Sequence, residues 1–291
     1  MGSLRRLLLI GTVIGIGVWL RTLPAVGVGT GLARWWTWTQ PTIATLYFSD
    51  GRFLVPVSRR VASTTDMARS AVEAFLDGPA PRTNLTTLIP RGTTIDSLDV
   101  HDGIATLDLK MRSGVIARGQ PATTAIVHTL TAIPGITAVT LTVNDAPIVT
   151  RARPTPLLYF ASANGLAAME ASAGTARELL DRYLAGPPDG MLTGLPRDVR
   201  LLKYEEDTAH GIIRLDFSDP DSLRTLAVEK PDVTRFVLLG LIATMTEFPG
   251  VHTVTLNFGD RSRLGLGQCT DLLRVPQPRP QLLNDERLLG I

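Results

Sequence analysis

Phe75-Leu76-Asp77-Gly78-Pro79 returns 108 residues later as Tyr183-Leu184-Ala185-Gly186-Pro187. Each stretch reads as the end of an amphipathic helix. An aromatic and a leucine complete an apolar stripe, glycine suits the left-handed residue after the last turn, and proline prevents continuation. Upstream, Ala68, Ala71, Val72, Phe75 and Leu76 fall at i, i+3, i+4, i+7 and i+8, and Ala176, Leu179, Leu180, Tyr183 and Leu184 repeat that spacing. Both helices therefore turn one face to a core. Thr65 or Asp66 is placed to cap the first, and Thr175 with Glu178 has the spacing of a capping box on the second.

The duplication extends in both directions. Leu46-Tyr47-Phe48 pairs with Leu158-Tyr159-Phe160, Ile89-Pro90 with Leu195-Pro196, and Leu107-Asp108-Leu109 with Leu215-Asp216-Phe217. Ile133-Pro134-Gly135 pairs with Phe248-Pro249-Gly250, and Val139-Thr140-Leu141 with Val254-Thr255-Leu256. The offset stays between 106 and 115 residues, so residues 42–149 and 155–260 are two diverged copies of one unit.

Each copy predicts the order β-β-α-β-β-α-β. In the first, strands at 43–48 and 53–57 flank the turn Ser49-Asp50-Gly51-Arg52, and strands at 95–100 and 104–109 flank His101-Asp102-Gly103. The last helix starts at Pro121, whose fixed φ suits the first helical position. Pro134-Gly135 then releases the chain into a closing strand at 136–143. The second copy ends the same way, at Pro249-Gly250 and a strand at 251–258, after a longer loop before its last helix. Two helices cover only one face of a small sheet, which predicts an α+β sandwich in each copy. The alanine-rich run 161–173 predicts a degenerate first hairpin in the second copy. Arg151-Ala152-Arg153-Pro154-Thr155-Pro156 reads as a short, stiff linker that limits the mutual orientation of the domains.

The resulting division is a membrane segment and linker at 1–40, domains at 41–150 and 151–265, and a tail at 266–291. The tail carries Pro276-Gln277-Pro278-Arg279-Pro280 and reads as a frayed terminus, with docking on a partner or on the second domain as the alternative.

With 44% hydrophobic and 19% charged residues the chain builds packed domains. The formal net charge of +2 conceals an uneven distribution. Residues 1–40 hold Arg5, Arg6, Arg21 and Arg34 and no acid, a charge of +4, which leaves −2 on the remainder. A broad nucleic-acid footprint is therefore not supported. The helix-flanked Gly-x-x-Gly clamp of a KH-type module is missing from both copies. Cys269, the single cysteine, rules out an intrachain disulfide or a cysteine cage for a metal.

Arg5 and Arg6 precede an uncharged, mostly apolar run from Leu7 to Leu20, the pattern of an export signal. Its 14 residues rise about 21 Å, less than the hydrocarbon core of about 30 Å, so a spanning helix must continue past Arg21 toward Val28 or Leu32. Trp19, Trp35, Trp36 and Trp38 are the only tryptophans, and the cluster after the apolar run matches a headgroup-level aromatic belt. An uncleaved, single-pass signal anchor with the body outside the cytoplasmic membrane is expected. Cleavage near Ala25-Val26-Gly27 and secretion is the alternative.

The ordered set of a Leu-Tyr-Phe hairpin, a helix closing on Leu-x-Gly-Pro, a Leu-Asp-Leu strand and a Pro-Gly helix end resembles the GerMN domain family. Residues 42–260 carry the resemblance, fully in the first copy and at the helices and closing strands of the second. It implies ring-building-motif-like folds in an envelope protein of sporulation or germination, with other envelope proteins or further copies of itself as partners. The family's lipoprotein branch does not fit a chain without an N-terminal cysteine. It brings no catalytic residues, and none is assigned here. No enzyme activity, cofactor, metal or nucleic-acid partner is expected, and no ligand-binding residue is identified. A module for a cell-wall fragment or small solute, or an envelope-signalling accessory, is the competing function.

The remaining candidates read as structural. His101 and His210 sit by the central turn of each copy, and neither they nor His128 and His252 have metal-ligand spacing. Asp108 and Asp216 recur inside apolar strands, but as members of separate domains they do not form an acid-base pair, and a hydrogen bond to the following loop is expected. Gly27-Val28-Gly29-Thr30-Gly31 lacks the preceding strand and the lysine of a phosphate loop.

Overall fold

The computed structural model describes residues 42–62, 66–163, 165–188, 190–259 and 266–289. The apolar segment, its glycines and the four tryptophans lie outside the described residues. Asp50 builds the first turn by accepting hydrogen bonds from the backbone of Arg52 at 2.8 Å and Phe53 at 2.7 Å. The flanking apolar residues then pair as β1 (Thr42–Ser49) and β2 (Leu54–Val61). Helix α1 (Met67–Leu76) follows, and its N-cap is Asp66, whose carboxylate accepts from the Arg69 N–H at 2.9 Å.

The rest of the first copy is β3 (Thr94–His101), β4 (Ile104–Lys110), α2 (Pro121–Thr131), β5 (Ala138–Val143) and β6 (Ala146–Ala152). β4 and β5 run parallel, so α2 serves as their crossover helix. β6 was not expected. Asn144 and Asp145, at φ of 51° and 65°, form the tight turn that folds it back on β5, and Arg151 and Ala152 of the expected linker belong to this strand.

The second copy comprises β7 (Leu157–Ser162), β8 (Gly165–Glu170), α3 (Ala176–Leu184), β9 (Leu201–Asp207), β10 (Ile212–Phe217), α4 (Asp221–Glu229), α5 (Pro231–Glu247) and β11 (Thr253–Phe258). Three expectations are corrected here. The alanine-rich run forms an intact hairpin of six residues per strand, because its small side chains are packed inside and not exposed in a loop. The expected longer loop is the helix α4. The capping box on α3 is half formed: Thr175 accepts from the Glu178 N–H at 3.1 Å, but Glu178 reaches back to the Gly174 N–H at 2.8 Å.

The largest correction concerns the sandwiches. Tandem α+β copies are present, but their first hairpins leave the sheets of their own copies and join in one sheet of order β1-β2-β8-β7. The other strands form two equivalent sheets, β3-β4-β5-β6 and β12-β11-β10-β9, where β12 is the two-residue strand Gln277–Pro278 of the tail. Residues 266–289 of the tail are not frayed. Leu283 and Leu289 are 2% and 8% exposed and belong to the core of the first copy, together with Leu157, Tyr159, Leu166 and Ala243 of the second. Apolar burial thus runs across the boundary between the copies. Equivalent ring pairs anchor each side, Phe48 on Phe75 at 5.6 Å and Phe160 on Tyr183 at 4.9 Å.

Among the described residues no helix is long and apolar enough to cross a membrane. Helix α5 presses so closely on β7 that a Cβ at Gly240 would stand 2.5 Å from the Tyr159 carbonyl oxygen. Gly240→Ala would raise helix propensity by about 1 kcal/mol in an exposed helix. Here it is expected to destabilise the protein by about 1 to 3 kcal/mol through overpacking, read as a lower urea midpoint. An unchanged or higher midpoint would contradict this contact.

Candidate functional site

The strongest concentration of buried polar chemistry lies where the two copies meet. β1 and β7 are the outer strands of the shared sheet, and each has a backbone N–H that needs a partner. The Tyr47 N–H donates to Thr129 Oγ1 of α2 at 3.3 Å, and the Tyr159 N–H donates to Thr244 Oγ1 of α5 at 2.9 Å. These are the same bond in the two copies. The tyrosine side chains then reach toward each other across one face of the sheet, and their hydroxyls meet at 2.8 Å. Tyr47 and Tyr159 are 1% and 0% exposed.

The hydroxyl chain has a direction. Tyr159 donates its one proton to Glu247 Oε1 at 2.5 Å, so Tyr47 donates to Tyr159. Glu247 ends α5, where the helix dipole disfavours a carboxylate. Arg279 of the tail offsets this with a charged hydrogen bond to the same oxygen, and it donates to the Tyr159 hydroxyl at 3.1 Å. Burial, together with the charge of Glu247, pushes the Tyr47 phenol up to about 12 and also raises Tyr159. Both stay protonated and serve as donors.

His128, one residue before Thr129, packs its ring 5.4 Å from that of Tyr47 and is 3% exposed. Its Nε2 has no hydrogen-bond partner among the described residues. Burial pushes His128 down to about 4; the Glu247 charge opposes the shift and Arg279 adds to it.

The tail continues from Arg279 across both hairpins. Asn284, 3% exposed, donates from Nδ2 to the carbonyls of Pro56 at 2.6 Å and Leu166 at 2.9 Å, and its Oδ1 accepts from the Leu166 N–H at 2.7 Å. Pro56 belongs to the first copy and Leu166 to the second, so one carboxamide bridges them. Glu286 pairs with Arg59 and accepts from the Ala80 N–H at 2.9 Å.

The residues singled out from sequence are scattered by the fold. His101 and His210 are exposed in their turns beside Asp102 and Asp207, at 3.3 and 2.9 Å. His252 is exposed, and among the described residues no three metal-ligating side chains converge. Asp108 and Asp216 do not bond the following loop. Asp216 accepts from Asn257 Nδ2 at 2.6 Å across the parallel pair β10–β11. Asp108 faces Thr142 in the equivalent register, with Oδ2 3.8 Å from Lys110 Nζ and Oδ1 unpartnered among the described residues. Cys269 is buried, and burial raises its thiol above the usual range. A groove of about 650 Å³ beside the tail is lined by Phe236, Leu239, Leu282 and Leu288, with Arg235, which is tied to Asp271 by two bonds of 2.9 Å.

Sequence reading marked both tyrosines as repeat anchors but missed Glu247, Arg279 and Asn284. The available signal was faint: an acid at the end of an apolar helix and an arginine enclosed by prolines.

A family model described as Germane, sporulation and spore germination, matches residues 45–149 and again 157–262. The chain belongs to this family. The tandem GerMN domains of the sporulation protein GerM from Bacillus subtilis superpose with a TM-score of 0.62 at 17% identity, over 84% of this chain and 99% of that one. This likeness shows the fold. The first GerMN domain of the Bacillus subtilis protein gives 0.33 at 19% identity, over 39% and 92%. A putative lipoprotein from Clostridium perfringens gives 0.26 at 20% identity, over 40% and 83%. No curated protein matches the sequence.

His128 makes stability depend on pH in a defined window. Its pKa is lower in the folded protein than the ordinary value near 6.5, so its contribution is complete above about pH 6.5 and is lost as pH falls toward 4. The loss at pH 4 amounts to about 3 kcal/mol. Urea midpoints measured from pH 7 to 4 are expected to fall in the parent and to flatten in His128→Gln. Parallel curves would show that His128 is not the titrating group.

Proposed function

We propose that this Germane-family chain is a non-enzymatic scaffold of the cell envelope, anchored in the membrane by residues 1–40, with its body outside the cytoplasmic membrane, where it serves sporulation or germination. The observation that carries this reading is the fusion of two such modules into one block through a buried seam. A pair of flexibly linked modules presents faces in changing relation, whereas a fused pair presents them at a fixed spacing, as a building element requires.

The outer faces of the two equivalent sheets suit protein contact. On the first, Thr106 and Thr140 are in register on β4 and β5, and neither is fully buried. On the second, the exposed Arg214 of β10 occupies the same register beside Thr255 of β11, which is itself buried. The mechanism is the packing of one module's sheet or helix face on that of a neighbour, either an envelope protein or a second copy. The anchor rests on Arg5, Arg6, the apolar run to Leu20 and the tryptophans that follow.

The full chain, produced in cells, is expected to stay with membranes after carbonate extraction and to crosslink into species larger than a monomer. Thr106→Arg is expected to reduce those crosslinks without lowering the melting midpoint. A chain released by carbonate would overturn the anchor, and a chain that crosslinks only as a monomer at high concentration would overturn the scaffold.

A further inference from the structure

The central sheet has an incomplete join. β2 pairs with β1 along all of its residues, but on its other side it meets β8 at a single position, Leu54 with Ala168. Beyond that point the strands part, and backbone groups of Pro56, Ser58 and Leu166 face the gap. Residues 283–286 of the tail fill it. The Ser58 N–H donates to the Asn284 carbonyl at 2.7 Å, the Glu286 N–H donates to the Ser58 carbonyl at 3.4 Å, and Ser58 pairs with Asp285 as a parallel bridge. The Leu283 N–H adds a bond to Ser58 Oγ at 3.1 Å.

We propose that the gap between β2 and β8 is a strand-accepting groove for an extended peptide that carries an arginine five residues ahead of an asparagine, and that this chain fills the groove with its own residues 283–286, led in by the segment that carries Arg279.

Three observations separate an acceptor from an ordinary piece of core. Recognition is divided as in other strand-adding sites: main-chain bonds along the strand supply attachment, and a few side chains supply selectivity. Here the side chains are Arg279, held by Glu247 and Tyr159, and Asn284, whose carboxamide substitutes for the missing peptide between Pro56 and Leu166. The groove is also shaped for that asparagine. Gly165 adopts a φ of +114°, and a Cβ there would stand 2.2 Å from Asn284 Oδ1.

The third observation is the asymmetry of the copies. Residues that the repeat needs for folding recur in both, as Thr129 and Thr244 do. Glu247 has Ala132 at its equivalent position, and among the described residues no segment after the first copy enters such a gap. The acceptor is therefore an addition to the repeat fold. Pro276, Pro278 and Pro280 hold the incoming segment extended, which reduces the entropy lost on docking. An extended segment of the same chemistry, presented by a neighbour, would compete for the groove.

A specific protease site inserted between Val275, which is 51% exposed, and Pro276 allows the full chain to fold before the tail is cut. The cut protein is expected to take up a labelled synthetic peptide of residues 276–291 saturably, one per chain. Peptides carrying Arg279→Met or Asn284→Ala are expected to bind at least tenfold more weakly, and a scrambled peptide not to bind. A chain ending at Val275 supplies an independent reading, with a melting midpoint below that of the parent and restored by the peptide. Exclusion of the peptide from both proteins, or equal binding of the two variants and the parent peptide, would overturn the proposal.

Discussion

Two fully buried tyrosine hydroxyls meet at 2.8 Å, and each comes from a different copy of the repeat. A hydroxyl buried without a partner costs about 1 to 3 kcal/mol, more than a satisfied one contributes. The first copy therefore cannot close its core over Tyr47 without the second, whereas Tyr159 also has Glu247 of its own copy as a partner. The dependence extends down the chain of donors, from Tyr47 to Tyr159 and from Tyr159 to Glu247, where Arg279 supplies the balancing charge. First copy, second copy and tail are bound into one arrangement by four side chains. The shared sheet and the continuous core across it follow from the same meeting point.

The seam is symmetric in its frame and asymmetric in its charge. Thr129 and Thr244 satisfy equivalent strand amides in the two copies. Around them the copies differ, with His128 opposite Ala243 and Ala132 opposite Glu247. Symmetric retention of the acid would place two carboxylates in one low-dielectric site, where like charges disfavour each other's ionisation. One acid, one arginine and a neutral histidine avoid that conflict. The asymmetry also gives the tail a fixed polarity, because Arg279 has one carboxylate to meet.

Local chemistry was legible in the sequence. Gly78-Pro79 and Gly186-Pro187 mark helix ends, Asp66 and Thr175 cap helix starts, and Pro121 opens a helix, since each acts on its own turn. The duplication was legible because it repeats those local marks. The shared sheet was not, because Leu54 and Ala168 carry no pattern that distinguishes pairing with each other from pairing within a copy. The intact second hairpin was missed for a related reason: alanine has weak strand propensity, and burial overrode it. Tyr47, Glu247 and Arg279 are far apart in sequence, so their convergence is a property of the fold alone. The Asn144-Asp145 turn was readable in principle, being a favoured tight-turn pair between an apolar strand and a second extended run.

If the buried seam makes the two copies one rigid block, the distance between them has a single value. Spin labels on exposed Glu73 of α1 and Arg177 of α3, in a Cys269→Ala background, report on both copies without touching the seam. Double electron–electron resonance is expected to give one narrow distance distribution, unchanged in width between dilute and crowded solution. A broad or two-peaked distribution would contradict the block and return the protein to two modules on a linker.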